Sequence, residues 1–504
     1  MIRRFARREF LKVAGIGAVG SLASAVAACG DPPLDPAIDS RRWDFAFVDV
    51  NVVPMDIEVV LANRTVGVAD GRVAWIGPAS DVDVPPHIPR VDGQGRYLMP
   101  GLADMHIHAP VPDQPIRESQ PSEQRAIAEK LAEIQAGFMV MLVANGVTTV
   151  RNMWGRQADL ALIDRMNRED VLAPTMHTTG PLLDDAPLTW PSATAVTAPA
   201  AAEREVVRQK EQGYEFVKVY NNLRPNVYAA ITAAARQVQM PVVGHVPWRV
   251  GVNAVLAARQ SSIEHLWGYL FAARRDKSLQ LGAANPQIWV DRVDPALLDG
   301  LIRATAAADT WNCPTLVLWH RQQNPNREPE SELAPLLRFV PARMLEGWKS
   351  ANARSASVRV NHERATSIRR VLTKALHDAG AGLLLGTDAP NPFVVYGFSI
   401  HDELDHLVEA GLSPFEALRA GTSAAAKYLG THLGYGSNFG TIAVGERADL
   451  ILTQENPIQN LRTLRNNDGV MLRGRWLSRS ELSGKLKDLT QAIAFTDQLI
   501  RDVQ

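Results

Sequence analysis

Two cysteines among 504 residues cannot form a disulfide scaffold, so an apolar core must hold the fold. Neither sign of charge dominates, with 53 Lys and Arg against 54 Asp and Glu. Without a basic excess, nucleic-acid binding has no electrostatic support. The uncharged stretch from Val13 to Ala28 is short and rich in Ala and Gly, too weakly apolar for a membrane span. What the chain does have is 46% apolar and 21% charged residues, a balance that excludes disorder as the main state. The length implies two or three units, or one barrel with attachments.

The first residues read as an address. Arg3, Arg4, Arg7, Arg8 and Lys12 form a charged head before the Val13 to Ala28 stretch. Arg7-Arg8-Glu9-Phe10-Leu11-Lys12 resembles a twin-arginine export signal, and Val26-Ala27-Ala28-Cys29 resembles a bacterial lipoprotein cleavage box. The expectation is a signal peptide over 1–29 with Cys29 lipidated, then a Pro-rich tether over 30–44. The protein would be exported and anchored by lipid on the periplasmic side of a bacterial membrane. Cys313 would then have no partner within the chain.

Residues 45–100 alternate short apolar runs with turns such as Asp70-Gly71, and 436–480 repeat that style. Both flanks are expected to share one small β-sandwich domain. Between them, over 101–435, strands and helices alternate, which predicts a (β/α)8 TIM barrel in the α/β class. Candidate strands begin near Leu102, Thr148, Thr175, Phe216, Val242, Ser262, Asn312 and Leu383. Helical periodicity fills gaps such as Ala126 to Ala144 and Ala200 to Gln212. A helical insertion is expected at about 320–380, and a C-terminal helix over 481–504.

The strand ends carry the chemistry. His106 and His108 alternate onto one face of the first barrel strand, where two imidazoles can bind one divalent metal. Lys218 stands in an apolar strand, a place where Lys needs a partner or a function. His245, His265 and Asp388 end three further strands. A buried Lys amine has a lowered pKa and can react with carbon dioxide to give an anionic, bridging carbamate. Four imidazoles, one carbamate and one Asp suit two borderline divalent ions, zinc first among them. Such a pair makes hydroxide at neutral pH, and Asp388 can take the water's proton and pass it to the leaving amine.

These residues, with the run from Asp92 to Leu102 ahead of His106-Ile107-His108 and the later Gly445-Glu446-Arg447-Ala448-Asp449-Leu450, resemble the amidohydrolase superfamily. The likeness is to its imidazolonepropionase-like and Xaa-Pro-dipeptidase-like branch, over roughly 45–480. The resemblance implies that His106 and His108 hold the more buried metal and Lys218 bridges. It also implies that His245 and His265 hold the second metal, and that Asp388 is ligand and general base. Asn152 departs from the Asp often found there, and Gly180 to Asp185 lacks the His-containing loop of the dipeptidases.

Trp154, Trp190, Trp248, Trp267 and Trp319 fall on or near the loops after the strands, which suggests an apolar or aromatic pocket. Tyr220, Tyr228, Trp248, Arg249 and Trp267 are the candidate substrate contacts. Arg151 is read as serving the barrel interior and His177 as a hydrogen-bonded structural residue. The expected activity is hydrolysis of a small-molecule amide, namely a dipeptide, an N-acyl amino acid or a cyclic amide, with a homo-oligomer left open. Two alternatives stand beside it. One is a mononuclear deaminase or cyclic-imidate hydrolase, and the other is a non-catalytic binding lipoprotein.

Overall fold

Eight parallel segments close into a ring. The computed structural model describes residues 40–110, 122–168, 170–275, 290–322, 332–356 and 362–503. The arginine-rich head, Cys29 and the tether to residue 39 lie outside the described residues.

The ring is built from β6 (Leu102–Ile107), β7 (Val147–Asn152), β8 (Thr175–Thr178), β11 (Val217–Val219), β12 (Val242–Gly244), β13 (Ser262–Glu264) and β14 (Trp311–Cys313), with the two-residue strands β9 (Leu183–Asp184) and β10 (Thr194–Ala195) added beside β11. The eighth segment, 383–389, pairs with both neighbours through single bridges, Leu383 to Asn312 and Ala389 to Ile107. A further bridge, Thr179 to Phe216, joins β8 to β11. Backbone N–H groups of Met105 and His108 donate to Leu385 and Ala389 carbonyls at 2.8 Å, and that of Asp388 donates to His106 at 2.7 Å. These bonds abolish the sheet edge, which otherwise would expose a row of unpaired donors and acceptors.

Strand side chains alternate between two cores. Leu102, Val150, Val217 and Ile263 pack with the helices in the larger cluster. Ala103, Met105, Val243, Cys313 and Leu384 form the inner cluster, together with Tyr428 and Phe439. The helices are amphipathic accordingly. Ser122–Ala144 precedes β7, Pro199–Glu211 precedes β11, and Pro225–Gln237 precedes β12, the last two started by Pro in the first turn, where its missing N–H costs nothing. Before the eighth segment come Leu316–Gln322, Ala342–Ala356 and His362–Asp378.

The flanks form one mixed sheet. Its order runs β17 (Arg475–Ser478), β16 (Gly469–Leu472), β15 (Leu450–Thr453), β5 (Tyr97–Pro100), β1 (Phe45–Val52), β2 (Leu61–Ala69), β3 (Arg72–Pro78), with β4 (Arg90–Asp92) beside β1. Hydrogen bonds therefore join N- and C-terminal flanks directly, at β5 with β15. The sheet curls enough that Trp476 of β17 meets Phe47 of β1 edge-on at 5.2 Å. Arg447 ties this sheet to the barrel, donating to Asp449 from Nε and to Thr149 Oγ1 at 2.7 Å. The final helix, Arg479–Val503, packs Leu489 where Gly137 leaves room on Ser122–Ala144. Among the described residues, no helix is long and apolar enough to cross a membrane.

Candidate metal centre

Every barrel segment ends at the same mouth, where a parallel barrel presents its loops. The last residues of β6 bring His106 and His108 there. A register shift between Asp104 and Ile107 re-aims this strand end. The His106 and His108 rings lie 5.6 Å apart, and the His106 and His265 rings 4.4 Å apart. His245 stands edge-on to His265 at 5.1 Å. Asp388 is at the centre. Its Oδ1 is 3.3 Å from His106 Nε2 and 2.9 Å from His108 Nε2, and its Oδ2 is 3.8 Å from His265 Nε2.

Side-chain partners fix which nitrogen of each ring faces inward. His106 Nδ1–H donates to Glu264 Oε2 at 2.7 Å, since a carboxylate can only accept. His245 Nδ1–H donates to Asn221 Oδ1 at 2.8 Å, and His265 Nδ1 bonds Thr315 Oγ1 at 2.7 Å. The Nε2 lone pairs of His106 and His245 are thereby directed at the mouth, as metal ligation requires, while the Thr315 hydroxyl, which can donate or accept, holds the His265 ring in place. His106 Nε2, His245 Nε2 and Asp388 Oδ1 are buried without hydrogen-bond partners among the described residues. Oδ1 comes close to His108 Nε2 without the alignment of a hydrogen bond. Orphaned buried acceptors of this kind are costly unless something electrophilic sits between them. Ligand atoms of His106, His265 and Asp388 all lie within 4.8 Å of one another. The donor set therefore fits a divalent cation.

Electrostatics agree with that fit. Burial holds the His106 imidazole down to about 3 and His265 to about 4, so both are neutral ligands at pH 7. Burial alone would raise Asp388, but the His265, His106 and His108 rings hold it well below the usual carboxylate range. Lys218, on β11 beside Val243, is 2% exposed. Burial lowers its amine to about 8, against opposing pulls from Asp388 and Glu264.

The loop backbone is held in unusual conformations at this point. His265, Thr315 and Asp388 all have positive φ, at 61°, 47° and 65°. For non-glycine residues this is strained, and such strain concentrates where side chains must be aimed. Gly386 permits the approach of the eighth segment to β6. A Cβ there would sit 2.4 Å from Cys313 Sγ and 2.9 Å from the His106 nitrogen.

Several supporting groups escaped the sequence reading. Glu264 is fully buried between His106 and Arg151, whose Nη2 donates to it at 2.9 Å. Arg151 sits in the barrel interior and also donates to the Met105 carbonyl, Ser262 and Tyr428. Asp104 accepts from the Thr387 N–H at 3.0 Å and Oγ1 at 2.6 Å, clamping the last segment to the first. The signal for Glu264 was its place beside His265 at the end of a short buried strand. Asn221 and Thr315 carry no such signal, being polar residues in loops.

The candidate substrate contacts separate into two groups. Tyr220 stacks on His245 at 4.1 Å, and its hydroxyl accepts from Trp190 Nε1 at 3.0 Å. Trp267 lies 4.8 Å from both His245 and Trp248. Trp319 stacks on Trp267 at 6.3 Å, and Trp154 meets His108 at 6.0 Å. Tyr228 requires a correction. It is buried on helix Pro225–Gln237 and donates to Gln260 Oε1 at 3.1 Å, among the groups that support the strands. A tyrosine so placed packs a helix against the barrel and does not meet a substrate. Arg249 is exposed to solvent, and the guanidinium that does reach the tryptophans belongs to Arg369. His177 bonds Glu215 at 2.9 Å.

The amidohydrolase family pattern matches residues 97–477. A bottromycin amidohydrolase structure is similar over 89% of this chain and 90% of its own, at 27% identity and a TM-score of 0.68. A Xaa-Pro dipeptidase structure with bound methionine covers 86% of this chain and 99% of its own, at 18% identity and a TM-score of 0.61, a likeness of fold. The imidazolonepropionase of Shewanella sp. (strain W3-18-1) is 31% identical over 135 residues, 25% of this chain and 30% of that protein. The match thus spans under a third of that curated relative's length.

Proposed function

The chain belongs to the amidohydrolase family, whose members hydrolyse carbon–nitrogen bonds, and from that premise we propose that it is a binuclear metal-dependent hydrolase of amides. Its substrate class is a dipeptide, an N-acyl amino acid or a cyclic amide. The supporting observation is the convergence of three imidazoles on Asp388, with His245 alongside and buried acceptors left without partners. A buried Lys218 amine lowered to about 8 supports the carbamate. Neutral Nζ attacks carbon dioxide, forms an N–C bond and releases one proton.

Two divalent ions held by His106, His108, His245, His265, Asp388 and the Lys218 carbamate would polarise the scissile carbonyl and acidify water. Asp388 takes the proton of the attacking water at a carboxylate oxygen and returns it to the leaving nitrogen. Glu264 and Asn221 keep His106 and His245 in the ligating tautomer, and Thr315 orients the His265 ring. The tryptophans around the mouth exclude bulk water, which strengthens each of these interactions.

A one-ion reading is favoured by the tight nest of His106, His265 and Asp388. Metal analysis with Lys218→Ala separates the two. The binuclear enzyme should hold about two equivalents, and the variant one or fewer, with kcat falling by roughly 100-fold or more. A variant that keeps its metal and most of its rate would establish the one-ion enzyme. Wild-type protein with well under one equivalent, and no activity after zinc or manganese is restored, would defeat both readings.

The address at 1–29 extends the proposal to export and lipid anchoring at Cys29. Cys29→Ser should move the protein from the membrane fraction to the soluble fraction. Wild type found in the soluble fraction would remove the anchor.

A further inference from the structure

A cavity of about 150 Å³ opens beside the metal nest, walled by Trp248, Trp267, Leu270, Phe271, Val290 and Trp319. A dry apolar cavity of about that size accepts a benzene ring. It adjoins two of the imidazoles. Trp267 is 4.8 Å from the His245 ring, and Trp319 is 6.5 Å from His265, whose carbonyl its Nε1 reaches at 3.2 Å.

The walls are not wholly apolar. Arg369, on helix His362–Asp378, also lines the cavity and is only 7% exposed. Its Cζ lies 3.5 Å from the Trp319 ring centroid. The guanidinium is therefore no farther from the His265 ring than those two spans laid end to end. Stacking on Trp319 covers one face and offsets part of the lost hydration, but it satisfies none of the five N–H donors. Arg369 Nε is buried without a hydrogen-bond partner among the described residues. Among the described residues no acid opposes the burial that pulls this guanidinium down to about 9, and a titratable neighbour on its own helix, His362, is another cation when protonated. A second donor in the same wall, Trp267 Nε1, is also buried without an acceptor among the described residues.

Proteins rarely leave a buried arginine unpaired, because the desolvated charge is costly until an anion meets it. Two orphaned donors in one aromatic cavity, one of them charged, call for an apolar ligand that carries an anionic acceptor. We propose that this cavity is the subsite for a carboxylate-bearing apolar group of the substrate, with Arg369 as the carboxylate's partner and Trp248, Trp267 and Trp319 as the walls. The inference rests on the amide-hydrolase reading and narrows its substrate to amides of large apolar amino acids with a free carboxylate. A guanidinium suits this task because its planar fork meets both carboxylate oxygens.

The test uses matched pairs: N-acetyl and glycyl derivatives of phenylalanine, tryptophan and leucine, each as free acid and as carboxamide. The metal-loaded full chain should favour the acids by at least about 10-fold in kcat/KM. Arg369→Met should lower kcat/KM for the acids by roughly 100-fold and change the carboxamides by less than about 3-fold. Arg369→Lys, a point charge without the fork, should fall between. Calorimetric titration with N-acetylphenylalanine and its amide gives a readout independent of turnover, and only wild type should distinguish the two. Equal losses on acids and amides, or no discrimination in titration, would overturn the inference. So would an Arg369→Met protein that loses thermal stability while keeping its preference for acids, since the guanidinium would then be structural. If no compound is hydrolysed at full metal load, the hydrolase reading fails, while titration still decides the carboxylate subsite.

Discussion

Asp388→Asn should abolish turnover more completely than any other single change, with kcat lowered by roughly 10³-fold or more. A general base alone accounts for about 10²–10⁴, and this carboxylate also stands within metal-ligand reach of three imidazoles. The asparagine has nearly the same shape, so packing against Thr387 and the Ala389 backbone should survive. What it loses is the negative charge that His265, His106 and His108 hold ionised, and the capacity to accept a proton from water. Substrate binding in the tryptophan cavity does not pass through this group, so KM should change by less than about 10-fold while kcat collapses. Metal content read beside the kinetics separates the two roles. Full occupancy with no rate identifies Asp388 as base first, and loss of metal identifies it as ligand first. A variant that keeps a tenth of wild-type kcat would exclude Asp388 from the chemistry.

The barrel was legible because its signal is periodic. Each strand is a short apolar run between helical stretches, and the expected starts at Leu102, Thr175, Val242 and Ser262 coincide with the first residues of β6, β8, β12 and β13. The eighth strand was legible as an apolar run, yet it forms only single bridges, because Asp104 and the glycine at 386 draw it close to β6 at one point. The flanking sheet was legible in style but not in connection, since the pairing of β5 with β15 joins segments some 350 residues apart in sequence. Candidate ligands could be named from residue type at strand ends. The groups that aim them could not, because Asn221 and Thr315 are ordinary loop residues until the fold brings them to His245 and His265. Tyr228 was misassigned for a related reason. An aromatic hydroxyl early in a helix after a barrel strand can point to the mouth or along the strands, and only packing decides between them. Arg369 was missed because it sits mid-helix, 50 residues after its ring partner Trp319, where helical periodicity suggests a surface charge.

Glu264→Gln should be the most destabilising conservative change in the barrel, costing about 3–5 kcal/mol at neutral pH, the range for removing one partner from a buried ion pair. The carboxylate is wholly buried, with Arg151 on one oxygen and His106 on the other. A glutamine must turn its amide nitrogen toward one of these two donors, leaving either the guanidinium or the imidazole facing another N–H. If the imidazole yields, the proton moves to His106 Nε2, the atom directed at the cation, and metal affinity should fall by roughly 10–100-fold. Stability and metal binding are thus coupled through one oxygen. The pH dependence has a definite sign. Burial alone would raise the Glu264 carboxyl, but Arg151 and His106 bring it down from its ordinary 4.5 to about 2. A lowered carboxyl contributes stability above its ordinary value and loses that contribution as pH falls toward its folded value. The gap between wild type and Glu264→Gln in urea midpoint should therefore be full at pH 7 and narrow as pH drops from 4.5 toward 2. Equal midpoints at pH 7 with unchanged zinc affinity would show that the Arg151–Glu264–His106 chain neither holds the barrel together nor aims its first ligand.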